Sequence, residues 1–175
     1  CGTTRLTSKM EELATRRVMA AAFIQMTYVG VPCIYYGDEV GMQGGRDPFN
    51  RGTFPWREID PQLLSWYREL GKLRNSLGCL RRGHFCPVCA EGDVYAYVRC
   101  FRKGKDAFGE EGDGSFALCA VNRGREERQI YVNLREHGDT ERGPWQVLSG
   151  IGTEKQPVQC TFEGEDRVVC TIPPE

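Results

Sequence analysis

The chain has 175 residues, 40% hydrophobic and 27% charged, with a formal net charge of −1. That is the composition of one or two folded domains, and the near-neutral balance supplies no basic face for nucleic acid. No apolar run reaches the roughly 20 residues of a membrane span; the longest, Ala20 to Tyr36, is broken by Gln25, Gly30 and Pro32.

A helix is predicted over Lys9–Tyr28. Ser8 is the expected N-cap and Glu11, three residues on, completes a capping box. Leu13, Ala14, Val18, Ala21, Ala22 and Gln25 repeat at helical spacing. The second half turns apolar on nearly all sides, which belongs in a packed interior. Gly30 and Pro32 end it. Val31–Tyr36 then reads as a short strand buried on both faces, an unbroken apolar run between two glycines. Gly37–Thr53 follows as a long, Gly-rich polar loop, and structureless loops of that length are commonly functional. The next helix has Asp60 at its N-cap, Pro61 at its first turn and Gly78 past its end. Leu63, Leu64, Tyr67, Leu70, Leu73 and Leu77 give it an apolar stripe.

Near Leu80 the period changes from helical to two. Strands are predicted near 84–89, 94–102, 115–122, 127–133, 145–149, 157–162 and 167–172. Glu91-Gly92-Asp93, Asn122-Arg123-Gly124, Gly150-Ile151-Gly152 and Gly164-Glu165-Asp166 separate them as turns. Lys103–Gly114, charged and rich in glycine, reads as a mobile hairpin loop. Short alternating strands of this kind make an antiparallel β-sandwich. The chain therefore divides into residues 1–80 and 81–175. The second part has enough residues to bury its own core. The first does not stand alone, because a single parallel strand leaves its backbone groups without a ladder.

The nine cysteines are odd in number and irregularly spaced. They predict reduced thiols and a cytoplasmic chain, with no leader peptide legible at the start. Cys86-Pro87-Val88-Cys89, with Cys79 and His84 upstream, carries half the spacing of a zinc site. It lies in a predicted strand entering a hairpin, so no metal is assigned. His84 and His137 have no partner motif and read as surface or satisfied core groups.

The most specific signal is Gly30-Val31-Pro32-Cys33-Ile34-Tyr35-Tyr36-Gly37-Asp38-Glu39-Val40-Gly41-Met42. It resembles the eighth barrel strand and following loop of the α-amylase family, whose pattern there is Gly-x-Pro, an apolar pair, Tyr-Tyr-Gly, an acidic pair and Gly-Met. The continuation Gly44-Gly45-Arg46-Asp47-Pro48-Phe49-Asn50-Arg51, closing at Pro55-Trp56, is similar to the neopullulanase, cyclomaltodextrinase and maltogenic amylase branch. The resemblance covers residues 1–80 well. Residues 81–175 fit the family's domain C in position and pattern, with a weaker signal in Val94–Arg99, Ala120–Arg123 and Cys170–Pro174.

The resemblance implies the end of a (β/α)₈ barrel (last strand and two helices) followed by an all-β antiparallel sandwich. Loops after barrel strands build the active site, so Gly37–Thr53 is expected on the substrate side. Retaining glycosidases need two carboxyl groups, a nucleophile and an acid/base. In the family these follow strands four and five, with a third acid in a His-Asp motif after strand seven. Thr3-Thr4-Arg5-Leu6-Thr7 resembles the residues after that motif, so none of the three acids is expected in this chain. Asp47 and Arg51 match the family's Asp-Pro-x-x-Arg motif and are the expected sugar-binding pair, with a salt bridge internal to the loop as the alternative. Asp38 and Glu39 point opposite ways from a strand end, and one of them is expected to hold the loop through backbone amides. Tyr36 and Trp56 are expected to pack in the core rather than stack on sugar.

The implied activity is α-glucan hydrolysis by a longer protein, with no cofactor and an oligosaccharide as partner. A non-catalytic carbohydrate-binding or structural domain is the alternative, as is a parent of the oligo-1,6-glucosidase type. A longer reading frame bearing the missing acids separates the first two. Exposed apolar surface on the barrel remnant would favour self-association.

Overall fold

Helix α1 runs over Ser8–Thr27 in the computed structural model, which describes residues 6–137, 159–163 and 167–172. It begins one residue earlier than expected, with Glu11 N–H bonding Thr7 O at 2.8 Å. Its buried face is Met19, Ala22 and Met26. Leu13 and Val18, expected inside, are 42% and 36% exposed, so the helix is not covered all round. Helix α2 spans Pro61–Ser76. Asp60 Oδ1 accepts from Gln62 N at 2.9 Å and Leu63 N at 3.0 Å, satisfying two of the amides that a helix start leaves open. Its buried face is Leu63, Trp66, Tyr67 and Leu70, and Trp66 Nε1 donates to Met19 O of α1 at 2.9 Å. Gly78 lies past the end of this helix, as expected, and starts a short one, α3, over Gly78–Arg82. Asp113 Oδ2 takes the Gly78 amide and Ser115 Oγ the Cys79 amide, both at 2.9 Å.

The strand expected over Val31–Tyr36 does not form. The segment makes no ladder, and Val31 is 94% exposed, with Ile34, Tyr35 and Tyr36 also exposed. The reason is the one that made the region incomplete by sequence: strand backbone needs neighbours on its edges, and none of the described strands pairs with it.

The described strands are β1 (His84–Glu91), β2 (Val94–Cys100), β3 (Phe116–Asn122), β4 (Arg128–Asn133), β5 (Gln159–Glu163) and β6 (Arg167–Ile172). They form two three-stranded sheets, ordered β1-β2-β3 and β4-β6-β5, with every pair antiparallel. The β1–β2 register shifts between Pro87 and Cys89, where proline has no amide to give the ladder. The strand expected at 145–149 and the turns at 150–152 and 164–166 lie outside the described residues.

The two sheets share one core. Val94 and Ala96 of β2 are buried with Ile130 and Val132 of β4 and Val168, Cys170 and Ile172 of β6. Period two selects these residues. It fails for the other face of β2, where Tyr97 and Arg99 are also buried. The Tyr28 ring meets Phe85 at 4.8 Å and Tyr97 at 5.4 Å in edge-on contacts. Arg99 Nη1 donates to Thr27 O at 2.9 Å and Nη2 to Gly83 O at 3.1 Å. Burial holds the Arg99 guanidinium below its ordinary pKa.

Lys103–Gly114, expected to be a mobile hairpin, is tied down. Isolated bridges join Arg102 to Lys105 and Lys105 to Glu111. Asp106 is buried, and its Oδ1 accepts from Phe108 N and Glu110 N at 2.9 Å each. Arg82 Nη1 lies 3.1 Å from Asp106 Oδ2.

By contacts the chain divides into two compact units. One holds Cys1–Met26 and Val31–Leu73, the other Thr27–Gly30 and Arg74–Glu175.

Candidate functional site

Chemistry-bearing residues of the first unit gather in the loop after Tyr36. Two left-handed glycines, Gly37 at φ 95° and Gly41 at φ 75°, bracket a single 3₁₀ turn over Asp38–Val40. A side chain at Gly37 would be strained by that φ and would also lie within 2.8 Å of Met42. Glu39 Oε2 accepts the Gly37 amide at 2.9 Å, so Glu39 is the member of the acidic pair that holds the loop. Asp38 is exposed. Further along, Tyr36 OH donates to Gly52 O at 2.9 Å and Tyr35 OH to Asn50 O at 3.4 Å. These two phenols tie the far limb of the loop back to its start. The Tyr67 phenol of α2 is held above its ordinary pKa by burial, with Asp38 and Glu39 adding to the effect.

Asp47 and Arg51 are brought together. Arg51 Nε donates to Asp47 Oδ1 at 3.0 Å, and Nη2 reaches the same oxygen. Both side chains are 64% exposed. The pair is thus an internal bridge at the loop tip, with its remaining donors and acceptors open to solvent. An exposed pair of this kind contributes little to stability, about 0–1 kcal/mol. It retains the hydrogen-bonding capacity of a carboxylate and a forked guanidinium.

The same unit holds a polar cleft of about 590 Å³, lined by Glu11, Thr15, Gln43, Thr53, Glu58 and Asp60 among others. Asp47 and Arg51 do not line it. Two of its carboxylates have structural tasks: Glu11 Oε1 accepts from Gln43 Nε2 at 2.9 Å, and Asp60 caps α2. Trp56, expected in the core, is 78% exposed, and its ring lies tilted against Phe54 with centroids 4.7 Å apart. Tyr36, also expected inside, is 43% exposed. Both follow the fate of Val31–Tyr36: nothing in the described chain covers that side. Phe49 and Tyr35 are also exposed, at 59% and 49%. Sequence reasoning did not single them out as exposed, although an aromatic beside Pro48 in a Gly-rich loop is a usable sign.

No protein-family model matches the chain. It is similar to the amylopullulanase of Thermoanaerobacter thermohydrosulfuricus, 41% identical over 123 residues, which is 70% of this chain and 8% of that protein. Neopullulanase 2 of Thermoactinomyces vulgaris is 43% identical over 122 residues, 67% of this chain and 19% of its own length. Among solved structures, a debranching enzyme of Nostoc punctiforme aligns over 91% of this chain and 29% of that one, with a TM-score of 0.71 at 26% identity. The chain belongs to the α-amylase family.

This family member spans only 7–10% of the length of the amylopullulanases it matches. Among its described residues no group of three His, Cys, Asp or Glu side chains converges as metal ligands would. The Cys86 and Cys89 side chains go to different places. Cys86 packs with Val98 and Cys100, while Cys89 lies against the core shared by the two sheets.

Proposed function

We propose that this chain is the C-terminal part of a glycoside hydrolase acting on α-glucans, contributing one loop of the substrate site and a β-sandwich domain C. In this reading residues 1–80 are the last strand and two helices of a (β/α)₈ barrel, and Val31–Tyr36 becomes a strand once neighbouring strands flank it. The carboxyl pair that glycoside hydrolysis requires comes from parts of the protein to which this chain does not correspond. The observation that carries the reading is the 41% identity to an amylopullulanase over 70% of the chain. The exposed Asp47–Arg51 bridge supports the sugar-binding role, because both groups keep unused hydrogen-bonding positions facing solvent. Exposed Trp56 and Tyr36, in the same unit, offer flat faces for a sugar ring.

The test is kinetic. In the longer protein containing this chain, Arg51→Ala lowers kcat/KM on cyclodextrin, pullulan or isomaltose by roughly 10–100-fold, about 1.5–3 kcal/mol for a charge-assisted hydrogen bond. Melting temperature stays unchanged. Unaltered kcat/KM on all three substrates overturns the assignment of the pair, and whichever substrate is turned over identifies the linkage. The 175-residue chain by itself gives no turnover of maltotriose; measurable turnover, free of host amylase, would place a catalytic pair within it.

A further inference from the structure

Eight of the nine cysteines are described, and all eight are free thiols. Two of them stand apart. Cys160 of β5 and Cys170 of β6 are direct partners in the antiparallel register. Directly opposed residues in such a ladder have Cα atoms about 4.5–5.5 Å apart. A disulfide accepts Cα separations of about 4.4–6.8 Å, so the backbone already has the spacing of a bridge. The side chains turn toward each other, with the two Sγ atoms 2.7 Å apart. β5 is the outer strand of its sheet and pairs only with β6 among the described strands. Cys170 is buried in the shared core, while Cys160 is half-buried and reachable from outside.

We propose that Cys160 and Cys170 form a reversible cross-strand disulfide that clips edge strand β5 to β6, closed by a low-molecular-weight disulfide of the glutathione type. The hydrogen bond from Cys170 brings the Cys160 thiol down to about 7, and the same bond keeps the proton on Cys170. Cys160 is therefore partly thiolate at neutral pH, and the thiolate is the attacking form. It displaces one thiolate from the small disulfide and becomes a mixed disulfide. Cys170 then gives up its proton and attacks Cys160 Sγ, expelling the second thiolate. The two protein thiols lose two electrons and two protons, and the small disulfide becomes two thiols. The exposed Cys33 has no described thiol partner within bonding reach and stops at the mixed disulfide. Among the described strands β5 pairs on one side alone, and the bridge would fix it in register against β6.

The experiment uses the whole 175-residue chain, reduced and then incubated folded with oxidised glutathione, quenched with N-ethylmaleimide and digested with trypsin. Cleavage after Lys155 and Arg167 puts Cys160 in peptide 156–167 and Cys170 in peptide 168–175. After digestion only a disulfide holds the two together. The expected result is that linked pair as the dominant disulfide of the folded chain, released by reductant. It comes with a rise in melting temperature of about 5 °C or more, the size expected for closing a short loop in a domain of about 100 residues. Cys170→Ser abolishes the pair and the rise and leaves a glutathione adduct on Cys160. Recovery of both peptides as separate maleimide adducts after oxidation of the folded chain overturns the proposal. So does a linked pair that forms no faster folded than in urea, a comparison on the unmodified chain that stands even if the serine variant does not fold.

Discussion

Arg99→Met tests the physical account of the second unit most directly. The substitution keeps an unbranched apolar stem in place and removes only the guanidinium, so it isolates the polar head. The head donates to two backbone carbonyls, Thr27 O at 2.9 Å and Gly83 O at 3.1 Å, and the residue is 1% exposed. Hydrogen bonds from a charged donor contribute about 1.5–3 kcal/mol each, which makes roughly 3–6 kcal/mol for the two. Against this stands the cost of burying a cation. Among the described residues no carboxylate sits against Arg99, and desolvation lowers its pKa. Offsetting the two leaves a loss of about 2–4 kcal/mol, close to the cost of breaking a buried charged contact. In a unit of about 100 residues that is a fall in melting temperature of roughly 10–25 °C, read by far-UV circular dichroism and by urea titration. Arg99→Lys, whose single ammonium is a compact donor rather than a fork, falls between. A methionine variant within about 0.5 kcal/mol of the parent, a change typical of neutral surface positions, would refute the reasoning. The guanidinium would then cost as much as its two bonds return.

Three further outcomes follow from the same unit. Gly83→Ala destabilises by about 1–3 kcal/mol through overpacking, because an added Cβ would lie 2.5 Å from Cys79 O and 2.8 Å from Cys100 O; chemical denaturation measures it. Burial works to raise the Asp106 carboxyl, but the amides of Glu110, Phe108 and Gly109 and the Arg82 guanidinium outweigh it and hold the group below its ordinary range. A depressed folded pKa contributes stability that is present above the unfolded value, about 3.9, and lost as pH falls through the folded one. An acid titration of the chain should therefore show stability falling below about pH 4, and Asp106→Asn should remove that part of the slope. Burial pushes the Cys119 thiol up to about 12, so Ellman's reagent at pH 8 labels exposed Cys33 rapidly and reaches Cys119 only after unfolding.

How much of this was legible depends on which physical rule each segment obeys. α2 announced itself through Asp60, Pro61 and its leucines, because capping and amphipathic spacing are local properties of the chain. β1 to β4 and β6 were placed to within a residue or two by alternation and turn residues, for the same reason. Arg99 and Tyr97 were invisible, since period two assigns one face of β2 to solvent and nothing local says that Tyr28 and Thr27 cover it. The Lys103–Gly114 loop misled through its composition: charge and glycine suggest mobility, but Asp106 spends its charge inward on amides of its own loop. In the candidate site, that one of Asp38 and Glu39 holds the loop was readable from the glycine turn, but which of the two was not. The bridge between Asp47 and Arg51 was legible only as the alternative to sugar binding, and their separation from the polar cleft was not legible at all.

The first unit raises a different question, because its apolar residues are legible and yet unburied. Val31, Ile34, Tyr35, Tyr36, Phe49 and Trp56 are between 41% and 94% exposed. Fully burying a large apolar side chain contributes about 1.5–3 kcal/mol. Six such residues, each with roughly half its surface still to cover, leave about 5–9 kcal/mol of burial unrealised. Association costs an estimated 4–15 kcal/mol in lost freedom, so the apolar term by itself supports weak assembly at best. The Cys33–Tyr36 backbone joins no ladder among the described strands; Cys33 O accepts from Gln25 Nε2 and Tyr35 O from Asp38 N, and the remaining groups give another chain a partial strand edge. Together they predict that the isolated 175-residue chain self-associates with a dissociation constant in the micromolar range, the regime of about −8 kcal/mol. Static light scattering across a dilution series reads this as a mass that falls toward the monomer. Replacing Ile34 and Tyr36 by serine shifts the midpoint to higher concentration without altering the melting of the second unit. A chain that scatters as a monomer throughout the series would mean that the exposed segment offers neither enough area nor a usable edge.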